Sequence, residues 1–135
     1  MILAMPETAA TQIVHYEPAA TVFRALMSSQ RPKREWADVD SELRSLLDLD
    51  HNWDEAGAMP PSEEVVFRVI DFMAFSRQLG VCAPDVVRAT PDGGVSIEWH
   101  REPQVTELEF GEIGMSAIEY DVSTGESRVV EIATR

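Results

Sequence analysis

Three histidines, one cysteine and the run Asn52-Trp53-Asp54 are the residues of this chain with the most chemical reach. Histidine beside carboxylate makes a metal site or an acid–base pair, yet His15, His51 and His100 share no ligand spacing such as H-x-x-x-H. The best neighbouring pair, His51 with Asp54, has no third ligand to join it. Cys82 has no histidine close in sequence to draw off its proton, and no G-x-S-x-G elbow presents a serine. Gly93-Gly94 joins two strands and does not open a helix, so it is no phosphate loop. Two acids for glycosidase chemistry can always be found among twenty-four, and their presence decides nothing. The expectation is therefore no catalytic residue, no metal ligand, no cofactor and no enzyme. Asn52, Trp53 and Asp54 are the loop candidate, because such a triplet can set a carboxylate beside an indole for a ligand. The same three residue types also build a self-supporting loop, in which Asn and Asp accept from backbone amides and Trp anchors to the core.

The elements that must position these groups are legible from apolar spacing. Residues 1–34 read as an N-terminal arm and linker: Thr11–Tyr16 suits a short strand, Thr21–Met27 about two helical turns, and Arg31-Pro32-Lys33-Arg34 a basic linker. Residues 35–135 read as a single α+β domain. Trp36, Val39, Leu43, Leu46 and Leu47 recur at three-and-four spacing, which predicts a helix from Trp36 to about Leu49, capped by Asp38 or Asp40. Gly57 and Pro60-Pro61 enforce a loop, and Ser62 is placed to cap a second helix over about 63 to 79, ended by Gly80. That helix is apolar on more than one stripe, so it is either central or keeps a second face for a partner. After Pro84 the period falls to two: Asp85–Thr90, Val95–His100, Val105–Phe110, Met115–Tyr120 and Arg128–Ala133 read as strands separated by glycine-containing turns. The predicted fold class is α+β, two helices packed on one face of a four- or five-stranded antiparallel meander sheet.

Two stretches, Asn52-Trp-Asp-Glu-Ala-Gly-Ala-Met-Pro-Pro-Ser62 and Pro91-Asp-Gly-Gly-Val-Ser-Ile-Glu-Trp99, resemble a family of small acidic proteins widespread in bacterial and phage genomes. In that family an N-W-D-x-x-G-A-x-P loop precedes a helix and a P-D-G-G-[VI]-S-[LI]-E-W hairpin follows it. The resemblance covers about residues 43 to 110 and implies architecture, not a reaction. Glu55-Ala56 stands where the family commonly has Gly-Tyr, so no aromatic role carries over.

Charge is the feature left to explain. Twenty-four acids against eleven bases give a net charge of -13, and Lys33 is the one lysine, which argues against direct nucleic-acid binding. Eight acids from Glu98 to Glu126 meet Arg101 alone, and ten from Glu35 to Phe67 meet Arg44 alone. With Val95, Ile97, Trp99, Leu108, Phe110, Ile118, Tyr120, Val130 and Ile132 turned to the helices, alternation puts Glu98, Glu107, Glu109, Glu119, Asp121 and Glu131 on the opposite, wet face. Such a face complements a basic groove. The expected function is a non-enzymatic interaction module that inhibits or neutralises a basic protein partner, as a nucleic-acid mimic, anti-defence inhibitor or antitoxin does. Glu98, Glu107, Glu109, Glu119 and Asp121 would be the partner-binding residues, and Phe75 or Trp36 the apolar anchors. The alternative is a homo-oligomeric structural or binding protein built through the second helix with no charge-driven role, and after it a small hydrolase or metal enzyme. The longest apolar stretch, Val65–Phe75, is broken by Arg68 and Asp71, so no membrane span is expected. The lack of basic residues ahead of Glu7 and the single cysteine point to a cytoplasmic protein.

Overall fold

The computed structural model describes residues 13–14 and 34–132. The expected helix at Thr21–Met27 and most of the basic linker lie outside the described residues. Helix α1 (Trp36–Ser45) continues into a 3₁₀ turn, Leu46–Asp48, so the apolar spacing read as one helix belongs to two segments. Its N-cap is Glu35, without a side-chain cap. Asp38 lies in the first turn and Asp40 inside the helix, so neither fills the capping role expected of them. An acid there still meets the positive end of the helix dipole. Helix α2 (Glu63–Gln78) starts as its sequence requires: the Ser62 hydroxyl accepts from the Val65 amide at 3.1 Å, and Glu63 and Glu64 occupy the first turn. It ends where Gly80 takes a φ of +95°, a conformation that a side chain would strain.

The chain then forms an antiparallel meander of β2 (Val86–Ala89), β3 (Val95–Arg101), β4 (Gln104–Phe110), β5 (Met115–Asp121) and β6 (Ser127–Ile132). A two-residue strand β1 (Ile13–Val14), inside the segment expected to be extended, lies parallel to β6 and completes the order β1-β6-β5-β4-β3-β2. The architecture is the expected α+β. One face of the sheet packs under the helices, with Val95, Ile97, Trp99, Leu108, Phe110, Met115 and Ala117 meeting Val39 and Leu43 of α1 and Val65, Val66, Val69 and Met73 of α2. Removing that much apolar surface from water is the main drive for this arrangement. Phe72 sets its ring edge-on to Phe110 at 5.5 Å, and Arg68 reaches from α2 to the carbonyls of Gly111, Glu112 and Gly114, tying the helix to the β4–β5 turn. The one indole buried in that core, Trp99, donates its N–H to the Cys82 carbonyl at 2.9 Å.

Register decides which side chains share a face, and here one expectation fails. The turn from Gly111 to Gly114 closes with the Gly111 amide on the Gly114 carbonyl, which sets Phe110 opposite Met115 and Leu108 opposite Ala117. Met115 and Ala117 therefore point to the helices, and Glu119 and Asp121 follow them by alternation. Ile118 and Tyr120 go to the other face, beside Glu98, Glu107 and Glu109. Glu98, Glu107 and Glu109 are thereby separated from Glu119 and Asp121, which were expected on the same surface.

Candidate functional site

The loop candidate is held together by its own side chains. Asp54 Oδ1 accepts from the Ala56 amide at 2.8 Å and the Ala58 amide at 3.0 Å, while Asn52 Oδ1 accepts from Gly57 at 2.6 Å. The Ala56 and Ala58 amides hold the Asp54 carboxyl below the usual carboxylate range. Trp53 packs against the core and donates its indole N–H to the Met59 carbonyl at 3.0 Å. Asn52 and Glu55 both adopt positive φ, +66° and +62°, which Asn tolerates well and Glu does not. The Met59 amide in turn donates to the Pro91 carbonyl at 2.9 Å, and Met59 bridges Asp92 in parallel. Thus the loop motif and the hairpin motif meet, and the polar atoms named here hold that junction. Within the hairpin Gly94 has no room for a side chain: a Cβ would stand 2.5 Å from the Phe110 carbonyl oxygen and 2.8 Å from Thr90 Oγ1.

The sheet face turned away from the helices carries a polar layer that the sequence reading described as solvated acids. Glu98 is not solvated. It is 5% exposed, its Oε2 accepting from Arg88 Nη2 at 2.5 Å and its Oε1 lying 2.7 Å from His100 Nε2. Ser96 donates to Glu107 Oε2 at 2.6 Å. Glu109 is pushed above the usual range by burial, by a hydrogen bond with the Glu107 carboxyl and its negative charge, and by Asp92, against the opposing pull of Arg88. Burial, followed by the charges of Glu98 and Glu107, likewise raises the Tyr120 phenol.

The other two expected contact residues are committed elsewhere. Glu119 Oε1 accepts from Arg128 Nη2 at 2.5 Å, opposite it in register. Asp121 caps the β5–β6 turn: Oδ1 accepts from the hydroxyl and amide of Ser123 and the amide of Thr124, and Oδ2 from Gln104 at 3.0 Å. The Ser123 hydroxyl leads the interactions that hold the Asp121 carboxyl low, against a burial effect that raises it. A shared acidic recognition face on the sheet is therefore corrected. Glu98 and Glu119 are matched by arginines, Asp121 belongs to a turn, and Glu107 accepts from Ser96. Sequence reasoning missed Arg88, Ser96, His100 and Tyr120 as members of this layer. Hairpin parity holds the missing signal, because pairing Ala89 with Val95 sets Arg88 opposite Ser96 and beside Glu98.

Elsewhere, Cys82 sits half-buried after α2 with Arg101 Nη2 at 2.5 Å from its sulfur, and Arg101 also meets Asp85 Oδ2 at 3.3 Å. Among the described residues no three His, Cys, Asp or Glu side chains are grouped to hold a metal ion, and no helix is long and apolar enough to cross a membrane.

Much of the negative charge without an ion pair among the described residues lies on the helical side, and exposed Glu102, Glu112 and Glu126 in the strand turns add to it. Glu35, Asp38, Asp48, Asp50, Glu55, Glu63 and Glu64 are exposed, and none of them forms an ion pair among the described residues. Among the described residues only Glu42, on Arg34 at 3.0 Å, and Asp40, on Arg77 at 4.0 Å, are matched there. Trp36, one expected anchor, is half-covered and lies 5.7 Å beneath the Arg77 guanidinium.

Fold and site together define a small α+β protein with a self-paired polar layer on its open sheet face and, among the described residues, exposed acids without an ion pair around its first helix and the following loop. No family model matches the chain, and neither curated proteins nor solved structures give a match to it.

Proposed function

We propose that the protein is a non-enzymatic acidic interaction module that binds and neutralises a basic protein partner, using the surface of α1, the loop after it and the first turn of α2. The observation that carries this reading is the charge imbalance from Glu35 to Glu64: ten acids share the segment with Arg44, and apart from half-buried Asp54 the acids not matched from outside are exposed. Asp38 and Glu42, four residues apart on one flank of α1, repel each other by a few tenths of a kcal/mol, so the helix carries this pattern at a cost to its own stability. A negative field of this kind steers a positive partner and excludes nucleic acid.

The test is affinity capture with the tagged full chain, followed by identification of what is bound and measurement of its release by salt. At about 1 M salt the Debye length falls to roughly 3 Å from about 10 Å at 0.1 M, so a charge-held partner elutes. The triple variant Asp38→Asn, Asp48→Asn, Asp50→Asn should weaken capture, and Glu107→Gln should not. A bound protein that is itself acidic, or binding indifferent to salt and to the triple variant, rules the reading out.

A further inference from the structure

Strand β5 can be threaded in two phases, and the one the protein adopts buries the smaller apolar set. Met115 and Ala117 face the helices and are buried, while Ile118 and Tyr120 lie half-buried on the open side. A slip of one residue would exchange them, because side chains alternate along a strand. Ser116 and Ile118 together fill much the same volume as Met115 and Ala117, so the core beneath α2 could accept either set. Apolar pattern therefore does not choose the phase. The turn ahead of the strand does.

That turn is held from outside the sheet. Its closing backbone bond runs from the Gly111 amide to the Gly114 carbonyl at 2.9 Å. The Gly111 carbonyl, the acceptor that closes an ordinary β-turn, accepts from Arg68 Nη2. The same guanidinium donates to the carbonyls of Glu112 at 3.2 Å and Gly114 at 3.4 Å. Arginine suits this role because its flat fork presents five donors in fixed directions, whereas lysine carries a point charge on a flexible stem. Three carbonyls drawn from four successive residues can converge on one guanidinium only while the loop keeps its length and curvature.

We infer that Arg68 is a register latch: its bonds to Gly111, Glu112 and Gly114 hold the β4–β5 loop at four residues and thereby choose the face to which each β5 side chain turns. Released from it, the loop takes in Met115 as a fifth residue, Phe110 pairs with Ser116 and Leu108 with Ile118, and Ile118 and Tyr120 enter the core. Glu119 and Asp121 then cross to the open face, with Glu119 opposite Glu107. That pairing sets like charges side by side, so the shifted register is disfavoured at low salt and gains as salt screens it. A residue of α2 thus governs the charge of a sheet face on the far side of the strands.

The test is solution NMR of the isotope-labelled full chain, reading which residues of β4 and β5 lie opposite one another. The parent should show contacts of Leu108 with Ala117 and of Phe110 with Met115 only. Arg68→Met keeps an apolar stem and removes the guanidinium; it should add a second set, Leu108 with Ile118 and Phe110 with Ser116, in roughly 10% of molecules or more, rising with salt. Arg68→Lys should lie between the two. Ile118→Thr with Tyr120→Thr, added to Arg68→Met, should diminish the second set, because they penalise chiefly the register that buries them. Should Arg68→Met alone fail to fold, return of the parent's contacts with the two threonines supports the latch, and a chain that stays unfolded with them overturns it. An Arg68→Met protein that folds with the parent's contacts alone, at low and at high salt, also overturns it, and Arg68 then only fastens α2 to the turn.

Discussion

Replacing Arg88 by methionine tests whether the polar layer on the open sheet face is a structural network and not a contact surface. The change removes the cation from a carboxylate whose side chain is 7% exposed, while Arg88 itself is 55% exposed. One end of the ion pair is dry and the other wet. Its loss should fall between the roughly 3–5 kcal/mol of a buried pair broken on one side and the roughly 0–1 kcal/mol of a surface pair. About 2 kcal/mol is expected, a fall in Tm of roughly 6–10 °C for a chain of this length. Glu98→Gln costs less, about 1 kcal/mol, because the amide oxygen can still accept from Arg88 while the amide nitrogen takes the place beside His100. In the double variant the buried charge and its partner are both absent, so the two costs should fall short of adding by about 1 kcal/mol or more. Urea unfolding of the four proteins at pH 7 measures this coupling. An Arg88→Met variant within about 0.5 kcal/mol of the parent, or a double variant that is simply additive, refutes the assignment of Glu98 as a buried, arginine-dependent charge. Should Glu98→Gln also weaken capture of the partner as the Asp38, Asp48 and Asp50 changes are expected to, the sheet face is the recognition surface after all.

Three further outcomes follow from the geometry. Glu109 holds its proton more tightly folded than unfolded, so its stabilising contribution is complete below the ordinary carboxylate range and is lost as pH rises through its raised value; Glu109→Gln should stabilise the protein at pH 7 by less than about 1 kcal/mol after solvent screening, and leave stability unchanged near pH 3 in urea titrations. Asp54 behaves oppositely, its contribution present above the ordinary carboxylate range and lost as pH falls through its lowered value; Asp54→Ala should speed amide exchange at Ala56 and Ala58, and protection retained at both would refute the loop role. Gly94→Ala forces a methyl against the Phe110 carbonyl and should cost about 2–3 kcal/mol in chemical unfolding, so a neutral result would mean that β3 and β4 separate there at little cost.

The elements were readable wherever one periodic signal dominated. Val65, Val66, Val69 and Met73 mark the buried side of α2, Ser62 its start and Gly80 its end, and each appears in that role. The phase of β5 was not readable, because Met-Ser-Ala-Ile-Glu-Tyr-Asp alternates acceptably in either sense. Ile118 and Tyr120 are the larger apolar groups, yet the parity of the four-residue turn before them gives the core to Met115 and Ala117. Tertiary geometry outweighed side-chain size, and two acids changed face with it. Burial of Glu98 was hidden for a related reason: a strand pattern says which side a residue takes but not that Arg88 and His100 from its surroundings close over it. The acids of α1 and the following loop needed less inference, since local charge excess leaves few bases within reach.

The contact between Met59 and the hairpin tip has a consequence for how the molecule is assembled. The donor of that closing bond precedes its acceptor at Pro91 by about thirty residues, with the whole of α2 between them. During synthesis the two helices can emerge and touch while the connection joining them is still open, and their spacing is secured only when the first β-turn has been made. An insertion within α2 would thus be felt at the Asn52–Met59 segment, far from the added residues, as a ring that no longer shuts.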